Sequence, residues 1–178
     1  MPRYIALLRG INVSGQKIIK MDALRTMFEA GGCANVKTYI QSGNVAFEHP
    51  EVDPVALRVH IEAHLKASLG YGVPTLLRER KAMETVVAGN PFPLDLPDFG
   101  KKVYVTFFEQ APSEAAIAGI APYVNDMEQL VIKGGEGYLY YAEGLGKAKL
   151  THALIERRLG MSTMRNWNTV TTLLEMAQ

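Results

Sequence analysis

Two rhythms of apolar residues alternate along the chain and mark out its elements. Tyr4 to Leu8 is apolar at successive positions, the pattern of a strand covered on both faces. A polar, glycine-containing loop follows from Asn12 to Lys17. Met21, Leu24 and Phe28 then recur at helical spacing, and Gly31-Gly32 supplies a helix stop. Val36, Thr38 and Ile40 alternate with Lys37, Tyr39 and Gln41, which predicts a strand. Gly43-Asn44 reads as a two-residue hairpin turn, with Val45 and Phe47 alternating beyond it. Asp53 caps a helix that has Pro54 at its first position. Leu57, Ile61, Leu65 and Leu69 form its stripe, and Gly70 closes it. Val73 to Leu77 predicts another strand. The order is β-α-β-β-α-β, the ferredoxin-like arrangement.

Lys81 to Ala88 reads as a short helix ending at Gly89. Pro91, Pro93 and Pro97 then break regular structure, so the boundary falls between residues 90 and 99. The order repeats beyond it. Val103 to Phe108 is a strand, Ser113 caps a helix that runs to Ile120 before Pro122, and Leu130 to Lys133 pairs with Tyr138 to Tyr141 across Gly134-Gly135. Leu150, Leu154 and Leu159 stripe a helix ending at Gly160. Met161 to Arg165 is extended, and Asn166 caps a last helix carrying Val170, Leu173 and Leu174. The expected fold is α+β, with two ferredoxin-like halves at 1–90 and 99–178 and an added C-terminal helix. The halves share a pattern but no residue-level similarity. A lone ferredoxin-like sheet leaves one face bare, and each large side chain buried there contributes about 1.5–3 kcal/mol. The halves are therefore expected to pack into one compact unit.

Composition narrows the function classes. Hydrophobic residues make up 48%, charged residues 21%, and the formal net charge is +1. That is an ordinary soluble profile. It argues against a protein built to coat nucleic acid, while leaving room for a local basic cleft. The single cysteine, Cys33, excludes an internal disulfide framework and a multi-cysteine zinc site, and fits a reducing, cytoplasmic setting. The apolar segment Ile5 to Leu8 is too short for a signal-peptide core or a span, and no later run reaches membrane length. No membrane partner is expected.

Polar clusters stand where strands end. Gly10 to Lys17 lies between strand and helix, as a phosphate-cradling P-loop does. However, Gln16 separates Gly15 from Lys17, and Ile18 stands where a magnesium-binding hydroxyl is needed. An ordinary loop with available amides is the alternative. Arg9 offers a fork for carboxylate or phosphate, or braces the loop. Gln41 and Asn44 point amides into a cleft, or simply suit a tight turn. Lys147 and Lys149 precede a helix start, where amides attract anions; a solvated basic loop is the plainer account. Arg165 beside Trp167 suits a stacked or bidentate contact to an anion, although Trp167 in the core braced by Arg165 explains both residues. His60 and His64 share a helix face without a third ligand, so no metal is expected, and no cofactor is indicated. Ser42 has no evident base, and Cys33 simply follows two glycines. Asn44-Val-Ala-Phe47 is not an RNA-recognition signature.

Five segments occur in a telling order: Ala6-Leu-Leu-Arg-Gly-Ile-Asn-Val13, Thr38-Tyr-Ile-Gln-Ser-Gly-Asn-Val45, Asn90-Pro-Phe-Pro93, Lys149-Leu-Thr151 and Arg165-Asn-Trp-Asn-Thr-Val170. Together they resemble the bacterial domain-of-unknown-function family 1697, from the first strand to the last helix, as a single family domain. The resemblance implies a duplicated ferredoxin-like α+β fold and no particular reaction. It also implies a shared motif set: Arg9, Gly10, Asn12, Gln41, Ser42, Gly43, Asn44, Asn90, Pro91, Lys149, Arg165, Asn166, Trp167 and Asn168. The position before Lys149 is often serine in such proteins, and here it is Ala148.

Three readings follow. In the first, Arg9, Asn12, Gln41, Asn44, Lys149, Arg165 and Asn168 line a polar cleft between the halves that binds a phosphate-bearing ligand. That ligand is a small anion or nucleotide, with a nucleic-acid backbone as a further candidate. In the second, the same cleft is catalytic. Glu48, Glu143 and His152 are its nearest acid–base candidates, and none has a partner that the sequence names. In the third, the polar clusters only cap helices and tie the halves together.

Overall fold

The uninterrupted apolar run near the amino end becomes the centre of a sheet. The computed structural model describes residues 1–178. In chain order the elements are β1 (Arg3–Leu8), α1 (Met21–Ala30), β2 (Ala34–Tyr39), β3 (Asn44–Glu48), α2 (Pro54–Leu69), β4 (Thr75–Glu79), α3 (Arg80–Ala88), α4 (Phe99–Lys102), β5 (Val103–Phe108), α5 (Glu114–Ile120), β6 (Glu128–Lys133), β7 (Glu136–Tyr141), α6 (His152–Leu159), β8 (Ser162–Asn166) and α7 (Trp167–Met176). The chain divides into two units, Met1–Thr85 with Thr172–Gln178, and Val86–Thr171. The architecture is α+β with two four-stranded antiparallel sheets. No helix is long and apolar enough to cross a membrane.

In the first unit the strand order is β2-β3-β1-β4. β1 pairs with β3 from Arg3↔Glu48 to Leu7↔Asn44, and with β4 from Tyr4↔Glu79 to Leu8↔Thr75. Tyr4, Ala6 and Leu8 join Leu24 and Phe28 of α1 and Leu57, Ile61 and Leu65 of α2 in one core. The alternate residues Ile5 and Leu7 are equally buried, so both faces of β1 are covered. That is why the run is apolar without interruption. The Asp53 side chain accepts from Val55 N, and Gly70 closes α2 in the left-handed conformation at φ 81. Near the carboxyl end, Lys37 Nζ donates to Met176 O at 3.2 Å.

In the second unit the order is β6-β7-β5-β8. Phe108, Leu139 and Tyr141 from the sheet pack with Ile120 of α5 and with Leu154, Ile155 and Leu159 of α6. Ser113 and Thr151 cap α5 and α6 through side-chain oxygens. Pro122 diverts α5 into a 3-10 turn at Ala121–Tyr123.

Two element boundaries differ from the hydropathy reading. The β2–β3 connection is Ile40 to Gly43, and Asn44 is the first residue of β3, opposite Tyr39. Asn44 is fully buried, and its Nδ2 donates to Tyr39 O at 3.0 Å and to Ser42 Oγ at 2.9 Å. Its polar groups are spent tying down the turn, which lets a polar residue stand inside the sheet. β4 starts at Thr75 instead of Val73, because Pro74 has no N–H to give to a ladder; its carbonyl accepts from Arg9 N. The short helix α4 had no signature in the apolar spacing.

Gly43 shows how tight this corner is. It sits at φ 84, its carbonyl accepts from Leu8 N at 2.8 Å, and a Cβ there would lie 2.8 Å from Leu8 Cβ and Ile11 Cδ1. Gly10 is also left-handed, at φ 73, but has open space around it. Gly43→Ala is therefore expected to cost about 2–4 kcal/mol from strain plus overpacking, and Gly10→Ala only about 1 kcal/mol. Urea unfolding of the two variants gives the comparison.

Candidate functional site

The polar loop between β1 and α1 has an unusual backbone. Gly10, Asn12, Ser14, Gly15 and Lys17 all have positive φ, between 48° and 73°. Five of eight consecutive residues are thus left-handed; Gly10 and Gly15 adopt this freely and Asn12 tolerates it, but Ser14 and Lys17 are residues that seldom do. The Asn12 carboxamide enforces it. Its Oδ1 accepts from Ile19 N at 2.8 Å, and its Nδ2 donates to Ile19 O at 3.1 Å and to Gln41 O at 2.7 Å. Within the loop, Asn12 N donates to Lys17 O and Gln16 N to Val13 O. Ile11 and Ile19 are buried and anchor its two ends. Lys17 Nζ lies over the Tyr71 ring, 5.5 Å from its centroid. Arg9 is half-buried at the base of the loop.

Four of the seven residues singled out in the sequence belong to this region. Asn12 and Gln41 meet directly, through the Gln41 carbonyl, while the Gln41 side chain is exposed. Asn44 lies inward and holds the turn. Lys17, Lys20, Ile18 and Ile40 complete the surface. The signal in the sequence for the first three is a run from Arg9 to Met21 with three cations and no acid.

The other three belong to the second unit, each with its own neighbour. Lys149 is exposed, and its amide is already bound to a carboxylate. Glu128 accepts from Lys149 N at 2.9 and 3.1 Å and from Leu150 N at 2.7 Å. The chain's own anion therefore sits on those two amides. Arg165 is 8% exposed; its Nη1 donates to Thr163 Oγ1 at 2.6 Å and to Met164 O at 2.9 Å. Burial lowers this guanidinium to about 10. Asn168 lies against Gly100, where any Cβ would overlap its amide. Asn166 accepts from Thr169 N and caps α7, while Trp167 packs edge-on against Phe99.

Two of the three acid–base candidates are engaged elsewhere. Glu48 bonds Asn35 Nδ2 and Arg3 Nε, and these two contacts hold its carboxyl below the usual range. His152 Nε2 lies 3.1 Å from Ser162 Oγ, and Ser162 is fully buried, out of reach of a substrate. Glu143 is exposed. Burial pushes the Cys33 thiol up to about 12, which leaves it inert as a nucleophile. No group of three or more His, Cys, Asp or Glu is placed to hold a metal.

A family model for the protein of unknown function DUF1697 matches residues 1–138. The chain belongs to the DUF1697 family. The matched span includes the whole β1–α1 loop and the Gln41-Ser42-Gly43-Asn44 turn; Lys149, Arg165 and Asn168 lie beyond it. Among solved structures, the conserved bacterial protein SP0830 from Streptococcus pneumoniae is similar with a TM-score of 0.74 and 22% identity, over 99% of each chain. At that identity the likeness is one of fold. No curated protein matches the chain.

Three of the four histidines form a row in this DUF1697 chain. The His49 and His60 rings are 5.9 Å apart and the His60 and His64 rings 6.5 Å. His60 Nε2 is 2.7 Å from Gly31 O at the end of α1. Burial, then the charge of His60, lowers the His49 pKa, and Glu51 opposes them. The unfolded chain therefore binds protons more readily than the folded one, and stability falls as pH drops through the imidazole range. The melting temperature is expected to fall between about pH 7.5 and 5.5. In His49→Gln, thermal melts across that window should show a smaller fall.

Proposed function

We propose that the chain binds an anionic, phosphate-bearing ligand through the β1–α1 loop of its first unit. The observation that carries this is the cluster of five left-handed residues between Gly10 and Lys17. Non-glycine residues held this way cost about 1–3 kcal/mol each and persist only where the surroundings enforce them. The three Asn12 hydrogen bonds supply that enforcement. Backbone of this kind can turn successive N–H groups into an anion-binding nest. Arg9, Lys17 and Lys20 add the charge. Binding is preferred to catalysis because Glu48 and His152 are committed to other partners.

Asn44 and Arg165 are assigned to folding, because their polar groups are buried and bonded within their own units. We also infer that each unit is ferredoxin-like and that the two arose by duplication. The equivalent strand orders β2-β3-β1-β4 and β6-β7-β5-β8, with helices at matching places in the chain, support this. A cytoplasmic setting fits the single, buried Cys33.

Titration of nitrogen-labelled protein with inorganic phosphate and with a mononucleotide tests the reading. Amide shifts are expected at residues 10–18. Arg9→Ala should weaken binding by roughly 10- to 150-fold, the equivalent of a charge-assisted bond worth about 1.5–3 kcal/mol. Shifts confined to other regions, or unchanged affinity in Arg9→Ala, would contradict it.

A further inference from the structure

Three aliphatic side chains stand on the candidate loop and on the β2–β3 connection beside it without being buried. Ile18 is 71% exposed, Val13 58% and Ile40 49%. Each is the chain neighbour of a residue joined by the Asn12 carboxamide: Val13 follows Asn12, Ile18 precedes Ile19, and Ile40 precedes Gln41. One side chain thus gathers all three at the same end of the first unit's sheet. Ile40 takes its place at φ 45, where a β-branched residue is strained, and it gains little burial in return. Strain of this kind in an exposed position points to presentation.

Along the chain the charges beside these residues are of one sign. Arg9, Lys17 and Lys20 share the loop, the first acid in the chain is Asp22, and none occurs between Lys37 and Glu48. In space Glu62 also approaches, accepting from Thr75 N next to the Pro74 carbonyl that holds Arg9 N, and it is paired with Arg58 at 3.6 Å. An exposed aliphatic tip among cations complements an anionic lipid surface. The aliphatics enter the interface while ammonium and guanidinium groups meet headgroup phosphates. A single-stranded nucleic acid would call for aromatic platforms, and the loop itself carries none. No spanning helix is needed for such a contact.

We propose that this tip docks the first unit on an anionic lipid bilayer, with Val13, Ile18 and Ile40 in the interface and Arg9, Lys17 and Lys20 on lipid phosphates. The inference rests on the anion-binding reading above and names its ligand class. The test is co-sedimentation of the full chain with vesicles of phosphatidylcholine alone and of phosphatidylcholine mixed with phosphatidylglycerol. Binding is expected only to the mixed vesicles, weakening as salt rises. The double variant Ile18→Ser, Ile40→Asn should lose about tenfold in affinity, from the apolar surface removed. It should stay folded, because both sites are exposed and Asn tolerates the left-handed backbone.

No sedimentation with mixed vesicles overturns the proposal, as does equal binding by the double variant, or binding to a single-stranded oligonucleotide with vesicles ignored. Loop amides that respond to inorganic phosphate while vesicles do not bind would remove the lipid assignment and leave the anion reading standing. Silence towards both would remove both.

Discussion

One carboxamide organises the end of the first sheet. Asn12 uses both of its side-chain heavy atoms to bracket the N–H and C=O of Ile19, and spends a second donor on Gln41 O. No other residue type does all of this. Aspartate lacks the donors, glutamine adds a methylene, and neither Ser nor Thr offers two donors and an acceptor. Asn also tolerates the φ of 53 that the position requires. The bond to Gln41 O joins the loop to the β2–β3 connection, which Gly43 closes against Leu8 and Ile11. The shape of the whole tip depends on that single side chain.

Elsewhere, polar residues are used up by the fold. Asn44 is buried in a strand because its amide has partners in the turn beside it. Arg165 is buried because its guanidinium donates to Thr163 and Met164 close by, and it keeps a lowered pKa as the mark of desolvation. Glu128 occupies the amides of Lys149 and Leu150, and so removes what looked like an anion cradle ahead of α6. Each is a polar group satisfied within its own unit, the normal condition of buried polarity. The β1–α1 loop stands apart, because there the strain, the cations and the exposed aliphatics coincide.

Much of the fold was legible because it follows from local periodicity. The stripe at Leu57, Ile61 and Leu65, the Asp53-Pro54 start and the Gly70 stop each act within one helix, and they fall where spacing placed them. The site was less legible. Nothing local says that Asn44 belongs to β3, since its partners come from the turn it follows. The left-handed Ile40 contradicts its own propensity and is imposed by the connection around it. The contact from Glu128 to Lys149 spans 21 positions, and no periodicity reports on it. The motifs name residues of both kinds, and only the structure separates those that hold the fold, such as Asn44 and Arg165, from those that face outward, such as Gln41.

The account stands or falls on whether the loop is rigid and Asn12 is the cause. Backbone amide relaxation over residues 10–19, in the wild type and in Asn12→Ala, measures this directly. The account predicts order parameters near the rigid-backbone value of about 0.85 in the wild type, and a marked drop in the variant while β1 and α1 stay ordered. A loop already mobile in the wild type, or one left unchanged by the substitution, would contradict it.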